Sequence, residues 1–130
     1  MSGNGNEKKK ILVAEDNESL RELLELILSD CGFQVVVAVD GAEGLDLFTE
    51  KKEEIHLVIS DIVMPRMNGI EMTKRIRAIV PNVRAILCSG DFPPEWRKEL
   101  EDLKVDFLAK PFSPDDLIKK VGILTQVVGL

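Results

Sequence analysis

The sequence has few of the residues that build zinc or redox centres, and few aromatic residues. Its 130 residues include one histidine, two cysteines, one tryptophan and no tyrosine. His56 stands alone, and Cys31 and Cys88 lack the Cys-x-x-Cys or Cys/His spacing of a zinc or redox site. We therefore expect both cysteines to be small, reduced core residues, and we exclude a zinc centre and a disulfide framework as the basis of the fold.

The chain also lacks signals for membrane insertion, secretion and nucleic-acid binding. No apolar segment approaches the roughly 20 residues that a membrane span requires. The stretch from Met1 to Lys10 is polar and has no apolar core, which excludes a secretory signal and favours the cytoplasm. The net charge is −6, so direct contact with nucleic acid is not expected. A chain of this length has room for one domain, which we place at residues 10–128 after a flexible polar arm at residues 1–9.

What the chain does contain is a regular alternation of apolar runs and amphipathic stripes. The apolar runs predict β-strands at residues 11–14, 34–39, 55–61, 83–88 and 105–109. The stripes predict α-helices at residues 20–31, 41–52, 69–80, 93–103 and 114–124. This alternation is typical of a parallel sheet with helices on both faces. The predicted fold class is a three-layer, doubly wound α/β domain, either half of a dinucleotide-binding fold or the flavodoxin-like order 2-1-3-4-5.

Two of the helical stripes predict particular core residues. In the first helix, the residues predicted to face the core are Leu20, Leu23, Leu24, Ile27 and Leu28. The third helix would bury Met72, Ile76 and Ile79. Both sets have the spacing of a helix that packs one face against a sheet.

Polar residues stand at the carboxyl ends of four of the five predicted strands. They are Glu15 and Asp16 after the first strand, Asp61 at the end of the third, Ser89 after the fourth and Lys110 after the fifth. Long intervals separate them in the chain, so only the fold can bring them together. In a doubly wound sheet these strand ends share one edge, and ligands bind where the strand order reverses, between strands one and three.

The chemistry of this set favours phosphoryl transfer. Three carboxylates close together repel one another unless a cation compensates them, and oxygen ligands of this kind suit Mg²⁺. Lys110 offers a positive charge for Asp61 at rest and for a phosphoryl oxygen after transfer. The Ser89 hydroxyl can donate to another phosphoryl oxygen. Asp61 is then the nucleophile that becomes an aspartyl phosphate.

With these residues, the chain resembles the receiver domain of two-component response regulators, from about Lys10 to Val127. The resemblance rests on Glu15-Asp16, on the run Asp-Ile-Val-Met-Pro-Arg-Met-Asn-Gly at 61–69, on Ser89, and on the run Phe-Leu-Ala-Lys-Pro-Phe at 107–112. It implies the CheY-like, flavodoxin-like order 2-1-3-4-5. It also implies a signalling domain rather than an enzyme, in which Asp61 accepts a phosphoryl group from a histidine kinase or a histidine phosphotransfer protein.

The resemblance also implies a metal site. Mg²⁺ would be bound by Asp16, Asp61 and the main-chain carbonyl of Val63. Glu15 would act through a water molecule. The peptide bond between Lys110 and Pro111 would be cis, which aims the lysine inward.

A switch between Ser89 and Phe107 is a further implication of the resemblance. The phosphoryl group would draw Ser89 inward, and Phe107 would occupy the space that it leaves. The face formed by the fourth helix, the fifth strand and the fifth helix would then bind a downstream effector or a second copy of the chain. The chain departs from many receivers at Leu103-Lys104-Val105, where glycine and alanine are common, and at Gly90, where alanine is common.

Other functions fit these residues less well. A hydrolase of the haloacid dehalogenase type needs a second aspartate two positions after the nucleophile, where this chain has Val63. A flavin or nucleotide carrier needs glycines and free amides after the first strand, where Glu15-Asp16-Asn17 is acidic. Within the receiver family the alternatives are a single-domain regulator, a relay shuttle, a segment of a hybrid sensor histidine kinase or larger regulator, and a degenerate receiver that acts only as a binding module.

Overall fold

The computed structural model describes residues 9–126, in which five parallel strands form one sheet of order β2-β1-β3-β4-β5. The strands are β1 (Lys10–Ala14), β2 (Gln34–Ala38), β3 (Ile55–Asp61), β4 (Arg84–Ser89) and β5 (Asp106–Ala109). The helices are α1 (Glu18–Asp30), α2 (Gly41–Lys51), α3 (Gly69–Ile79), α4 (Arg97–Leu103) and α5 (Pro114–Thr125). Of the two predicted architectures, the flavodoxin-like one is confirmed.

The limits of the described chain leave two predictions unexamined. The predicted polar arm at residues 1–9 lies outside the described residues except for Lys9, and so do residues 127 and 128 of the predicted domain. In the part of the chain that is described, no helix is long and apolar enough to cross a membrane.

Alternation along the central strands divides the core between the two faces of the sheet. Ile11 and Val13 of β1 pack with α1 and α5 residues, whereas Leu12 and Ala14 pack with α2 and α3 residues. All four side chains are fully buried. Because the central strands are covered on both sides, their polar chemistry is confined to the strand ends.

The cysteines belong to this core, as predicted. Cys88 is buried in the cluster on the α1 and α5 face, and Cys31 is partly buried against it. Burial raises the pKa of the Cys88 thiol to about 12. Cys88 is therefore a neutral, inert neighbour of the strand end that carries Asp61.

Four helices begin with a side chain that caps the first turn. The capping residues are Asn17 for α1, Asp40 for α2, Asn68 for α3 and Ser113 for α5. Each accepts a hydrogen bond from the backbone N–H three residues later, which otherwise has no partner in the helix. These caps lie at the carboxyl edge of the sheet, so they also fix the loops that carry the polar strand ends.

The predicted core stripes are wrong at two positions. Leu23 is 48% exposed and Ile79 is 39% exposed. Leu23 lies about 100° around α1 from the buried Leu24, at the flank of the stripe and beyond the contact with the sheet. At the end of α3 the backbone becomes extended at Val80, which packs against the core in place of Ile79.

Helix α4 is shorter than predicted and loosely packed. Its predicted start at Pro93 is a 3₁₀ turn at Pro94–Trp96, and Val105 precedes β5 rather than opening it. No residue of α4 is fully buried. Its apolar residues only partly cover a small cluster formed by Ile62, Ile70 and Leu87.

Candidate functional site

Three acids meet where the strand order reverses between β1 and β3. Glu15 and Asp16 directly follow β1, and Asp61 ends β3 in register with Cys88 of β4. One carboxylate oxygen from each of the three acids lies within 4.8 Å of the other two. The proximity predicted for these acids is therefore present.

Burial makes the three acids unequal. Glu15 is 2% exposed, the Asp61 side chain is 11% exposed, and Asp16 is exposed. Burial raises the pKa of Glu15, and the hydrogen bond from the Asn17 N–H and the charge of Lys110 oppose this only in part. A neighbouring cation therefore helps to keep Glu15 ionised.

Lys110 is the cation that joins two of these acids. Its Nζ lies 2.9 Å from Asp61 Oδ2 and 3.2 Å from Glu15 Oε1. The Lys110 N–H donates to the Ser89 carbonyl, which continues the sheet past β5, and the bond to Pro111 is cis as predicted. Burial lowers the pKa of Lys110, but the contacts with Asp61 and Glu15 outweigh burial and raise it. The ammonium therefore stays charged between the two carboxylates.

The site offers the hard oxygen ligands that Mg²⁺ prefers. Three carboxylates face one ammonium, so a divalent cation would balance the excess negative charge. Val63 lies two residues after Asp61, and across residues 9–126 its carbonyl oxygen accepts no hydrogen bond. The residues predicted as ligands therefore fit Mg²⁺ by their chemistry and by their availability.

The predicted switch residues make no contact with this cluster through the Ser89 hydroxyl or the Phe107 ring. Ser89 is buried, and its Oγ donates to the Asp91 carbonyl at 2.8 Å rather than to an acid. Phe107 is 38% exposed and packs edge-to-face on Phe92, with the ring centroids 6.2 Å apart. The Arg97 guanidinium lies 5.6 Å from the Phe92 centroid. The hydroxyl is therefore engaged with the loop after β4, and the Phe107 ring is turned outward.

Sequence reasoning missed an ion pair next to the site. Arg66, in the loop after β3, contacts Asp40 at the end of β2. The two residues are 26 positions apart in the chain, so no local sequence pattern signals their pairing. Two glycines also allow close backbone approach: a Cβ on Gly41 would lie 2.2 Å from the Met67 carbonyl oxygen, and one on Gly69 2.2 Å from that of Asp61.

The fold and the site together define a class of protein. It is a doubly wound α/β domain of flavodoxin-like order, with an acidic, lysine-bridged site at its topological switch point. Comparison with known families matches residues 11–122 to the family described as response regulator receiver domain. The chain belongs to this family.

Individual relatives agree with this assignment. The chain is 34% identical over 122 residues to the chemotaxis protein CheY of Thermotoga maritima, covering 91% of this chain and 98% of that protein. It is also 34% identical over 122 residues to the probable transcriptional regulator ycf27 of Porphyridium aerugineum, covering 93% of this chain but 50% of that protein. The chain thus spans about half the length of that longer relative.

A solved structure shows the same fold. The chemotaxis protein CheY4 of Vibrio cholerae matches with a TM-score of 0.81 and 29% identity, covering 91% of this chain and 99% of that chain. Receiver domains of response regulators are phosphoacceptors of two-component systems. They bind Mg²⁺ at an acidic site and interact with kinases or phosphotransfer proteins.

Proposed function

We propose that Asp61 is the phosphoacceptor of this receiver domain. The observation that carries the proposal is the contact of Lys110 Nζ with Asp61 Oδ2, at 2.9 Å, beside Glu15 and Asp16. This arrangement gives Asp61 a cationic partner and neighbouring metal ligands, while part of its side chain remains exposed to a donor. The domain is a signalling protein rather than an enzyme, because the group that is modified is its own.

The transfer step is a displacement at phosphorus. One carboxylate oxygen of Asp61 attacks the phosphorus atom of a phosphohistidine in line with the P–N bond. The P–O bond forms as the P–N bond breaks, and the imidazole nitrogen keeps the electron pair and takes up a proton. Lys110 then moves its hydrogen bond from Asp61 to a phosphoryl oxygen.

The metal would be held by residues of the same edge. Asp16, Asp61 and the carbonyl of Val63 would bind Mg²⁺ directly, and Glu15 through a water molecule. The bound ion supplies charge neutralisation for the phosphoryl oxygens. The burial of Glu15 supports its indirect role, because its carboxylate is already engaged by Lys110 and by the Asn17 N–H.

A groove beside the site suits the phosphodonor. Apolar side chains of α1, of the loop after β5 and of the start of α5 line it: Leu20, Leu23, Leu24, Ile27, Phe112 and Pro114. Lys110 also lines the groove and contacts Asp61. A protein that carries a phosphohistidine to Asp61 must cover the adjoining surface, so we place a histidine kinase or histidine phosphotransfer protein on this groove.

The groove predicts a difference between protein and small-molecule donors. Leu23→Ala removes an exposed apolar contact and should slow transfer from a phosphorylated histidine phosphotransfer protein by roughly tenfold, the effect of a modest interface contact. Labelling by acetyl phosphate should not change. Leu26→Ala is the control, because Leu26 is 67% exposed on the same helix but does not line the groove. Equal slowing with both donors would contradict this placement.

The proposed output runs from Ser89 to Phe107. A phosphoryl group on Asp61 would compete with the Asp91 carbonyl for the Ser89 hydroxyl, and Phe107 would leave Phe92 and turn inward. The face of α4, β5 and α5 would then bind a downstream effector or a second copy of the chain in the cytoplasm. The loose packing of α4 supports this output, because few buried contacts oppose its movement.

The kind of protein that contains this domain is a separate matter from the chemistry of Asp61. A single-domain regulator, a hybrid sensor histidine kinase and a larger regulator all contain such a domain, and relatives of both single-domain and double length match this chain. In each of these contexts the same chemistry at Asp61 is proposed.

The test is phosphorylation of the purified protein. Incubation with acetyl phosphate and Mg²⁺ should add one phosphoryl group, measured by intact-protein mass spectrometry, and Asp61→Asn should abolish it. Removal of Mg²⁺ with a chelator should also abolish it. If wild-type protein gains no phosphate, the domain is a degenerate receiver that acts only as a binding module. If Asp61→Asn gains as much phosphate as wild type, Asp61 is not the phosphoacceptor.

A further inference from the structure

Arg66 has an unusual backbone conformation in the loop between β3 and α3. Its φ is 67°, in the left-handed region that residues other than glycine, asparagine and aspartate disfavour. An arginine gains nothing from this conformation by itself. An interaction of its side chain can offset this cost.

That interaction is with Asp40, which caps α2. Arg66 Nε lies 2.7 Å and one terminal nitrogen 2.6 Å from Asp40 Oδ2. The other carboxylate oxygen, Oδ1, accepts the Glu43 N–H at 2.9 Å. The Asp40 side chain is 6% exposed, whereas that of Arg66 is 65% exposed. Asp40 thus fastens the loop after β3 to the first turn of α2.

The fastened loop is the one that leaves Asp61. It contains Val63, three residues before Arg66, and it closes with a hydrogen bond from the Gly69 N–H to the Ile62 carbonyl. On its other side, the Met67 carbonyl approaches α2 so closely that only glycine fits opposite it. The loop is therefore held at its base by its own hydrogen bond and at its tip by Arg66.

We propose that Arg66 is a positioning residue for the metal site, which by its contact with Asp40 fixes the loop that carries the Val63 carbonyl. The inference rests on the proposed function, because it assigns Val63 a role in binding Mg²⁺. Residues that orient metal ligands without touching the metal commonly change affinity by 10-fold or more.

Three substitutions of Arg66 distinguish the effect of its side chain from the effect of its backbone conformation. Arg66→Gly removes the guanidinium but adopts a positive φ readily, so it should fold at least as well as Arg66→Ala. Both should weaken Mg²⁺ binding by roughly tenfold, measured by isothermal titration calorimetry. Arg66→Lys keeps a cation and should recover part of the affinity. In Arg66→Gly, the Met67 and Gly69 amides should exchange hydrogen faster than in wild type.

A control variant and two contradicting outcomes complete the test of the positioning role. Arg75→Ala breaks an exposed ion pair with Glu71 on α3 and should leave the Mg²⁺ affinity unchanged. If Arg66→Gly binds Mg²⁺ with the wild-type Kd while wild type is phosphorylated normally, the positioning role is refuted and the proposed function stands. If wild type neither binds Mg²⁺ nor gains phosphate, the proposed function fails, and with it the metal role of Arg66.

Discussion

Replacing Lys110 with methionine should have opposite effects on stability and on metal affinity. Lys110 Nζ contacts the carboxylates of both Asp61 and Glu15. Within residues 9–126, no other cationic group contacts a carboxylate of the three clustered acids. Lys110→Met keeps an unbranched side chain of similar length. It therefore removes the charge with little change in packing.

The magnitudes follow from burial and distance. Removing one partner of a buried ion pair typically costs about 3–5 kcal/mol. Here the Lys110 side chain is 25% exposed, and Glu15 can take up a proton, so we expect the free energy of unfolding without Mg²⁺ to fall by about 2 kcal/mol. At a separation of about 5 Å and the dielectric constant of water, a divalent cation and an ammonium would repel each other by about 1.7 kcal/mol. Without the ammonium, the Kd for Mg²⁺ should therefore fall roughly 15-fold.

Urea denaturation without Mg²⁺ and isothermal titration calorimetry with Mg²⁺ measure the two effects. Lys98→Met is the control, since Lys98 is 84% exposed on α4 and its loss lowers the net charge from −6 by the same one unit. Lys98→Met should change neither quantity appreciably. If Lys110→Met binds Mg²⁺ no more tightly than Lys98→Met, then Lys110 does not compete with the metal and the charge argument is wrong.

Three further predictions concern the neighbours of this cluster. Ser89→Ala should slow labelling by acetyl phosphate at least tenfold, because a hydrogen bond to a charged group is worth about 1.5–3 kcal/mol; an unchanged rate in a phosphorylation time course would remove Ser89 from the site. Gly69→Ala places a Cβ 2.2 Å from the Asp61 carbonyl oxygen and should lower the free energy of unfolding by about 1–3 kcal/mol in urea denaturation, whereas no loss would mean that the loop has room to move. Burial raises the pKa of Asp40, but hydrogen bonds from backbone amides and the Arg66 guanidinium outweigh burial and lower it below 3.8. The stability from this pairing is then present above pH 3.8 and lost as the pH falls through the lowered pKa. At pH 7 the free energy of unfolding of Arg66→Ala should be about 1 kcal/mol lower than that of wild type. At acidic pH the two values should converge, so a difference that does not change with pH would contradict the pairing of Arg66 with Asp40.

The proposed phosphorylation site and the proposed output surface lie on different parts of the fold. The acids lie at the ends of β1 and β3, two strands whose apolar residues are buried. The proposed output lies on α4 and β5, where Phe107 is partly exposed and no α4 residue is fully buried. In the proposed mechanism the buried strands would hold the charges, and the less tightly packed helix would respond to a small rearrangement at Ser89.

Some features of the site could be predicted from residues close together in the chain. The apolar run that ends in Asp61 and the run that ends in Glu15-Asp16 have the composition of buried parallel strands, and the ends of such strands share one edge. Lys110 could be placed by the same argument. Leu23 and Ile79 could not be placed correctly, because periodicity identifies the side of a helix that faces the core but not how far around or along the helix that contact extends.

The sequence by itself therefore determined the fold class, the strand ends that meet and the chemical identity of the groups found there, because these depend on local composition and on the geometry of parallel sheets. Only the tertiary structure decided which of these groups touch. Lys110 contacts Glu15 as well as its predicted partner Asp61, the Ser89 hydroxyl donates to the Asp91 carbonyl, and Arg66, in a left-handed conformation, contacts Asp40. Such contacts join segments far apart in the chain, and they are set by side-chain direction and burial, which no local pattern records.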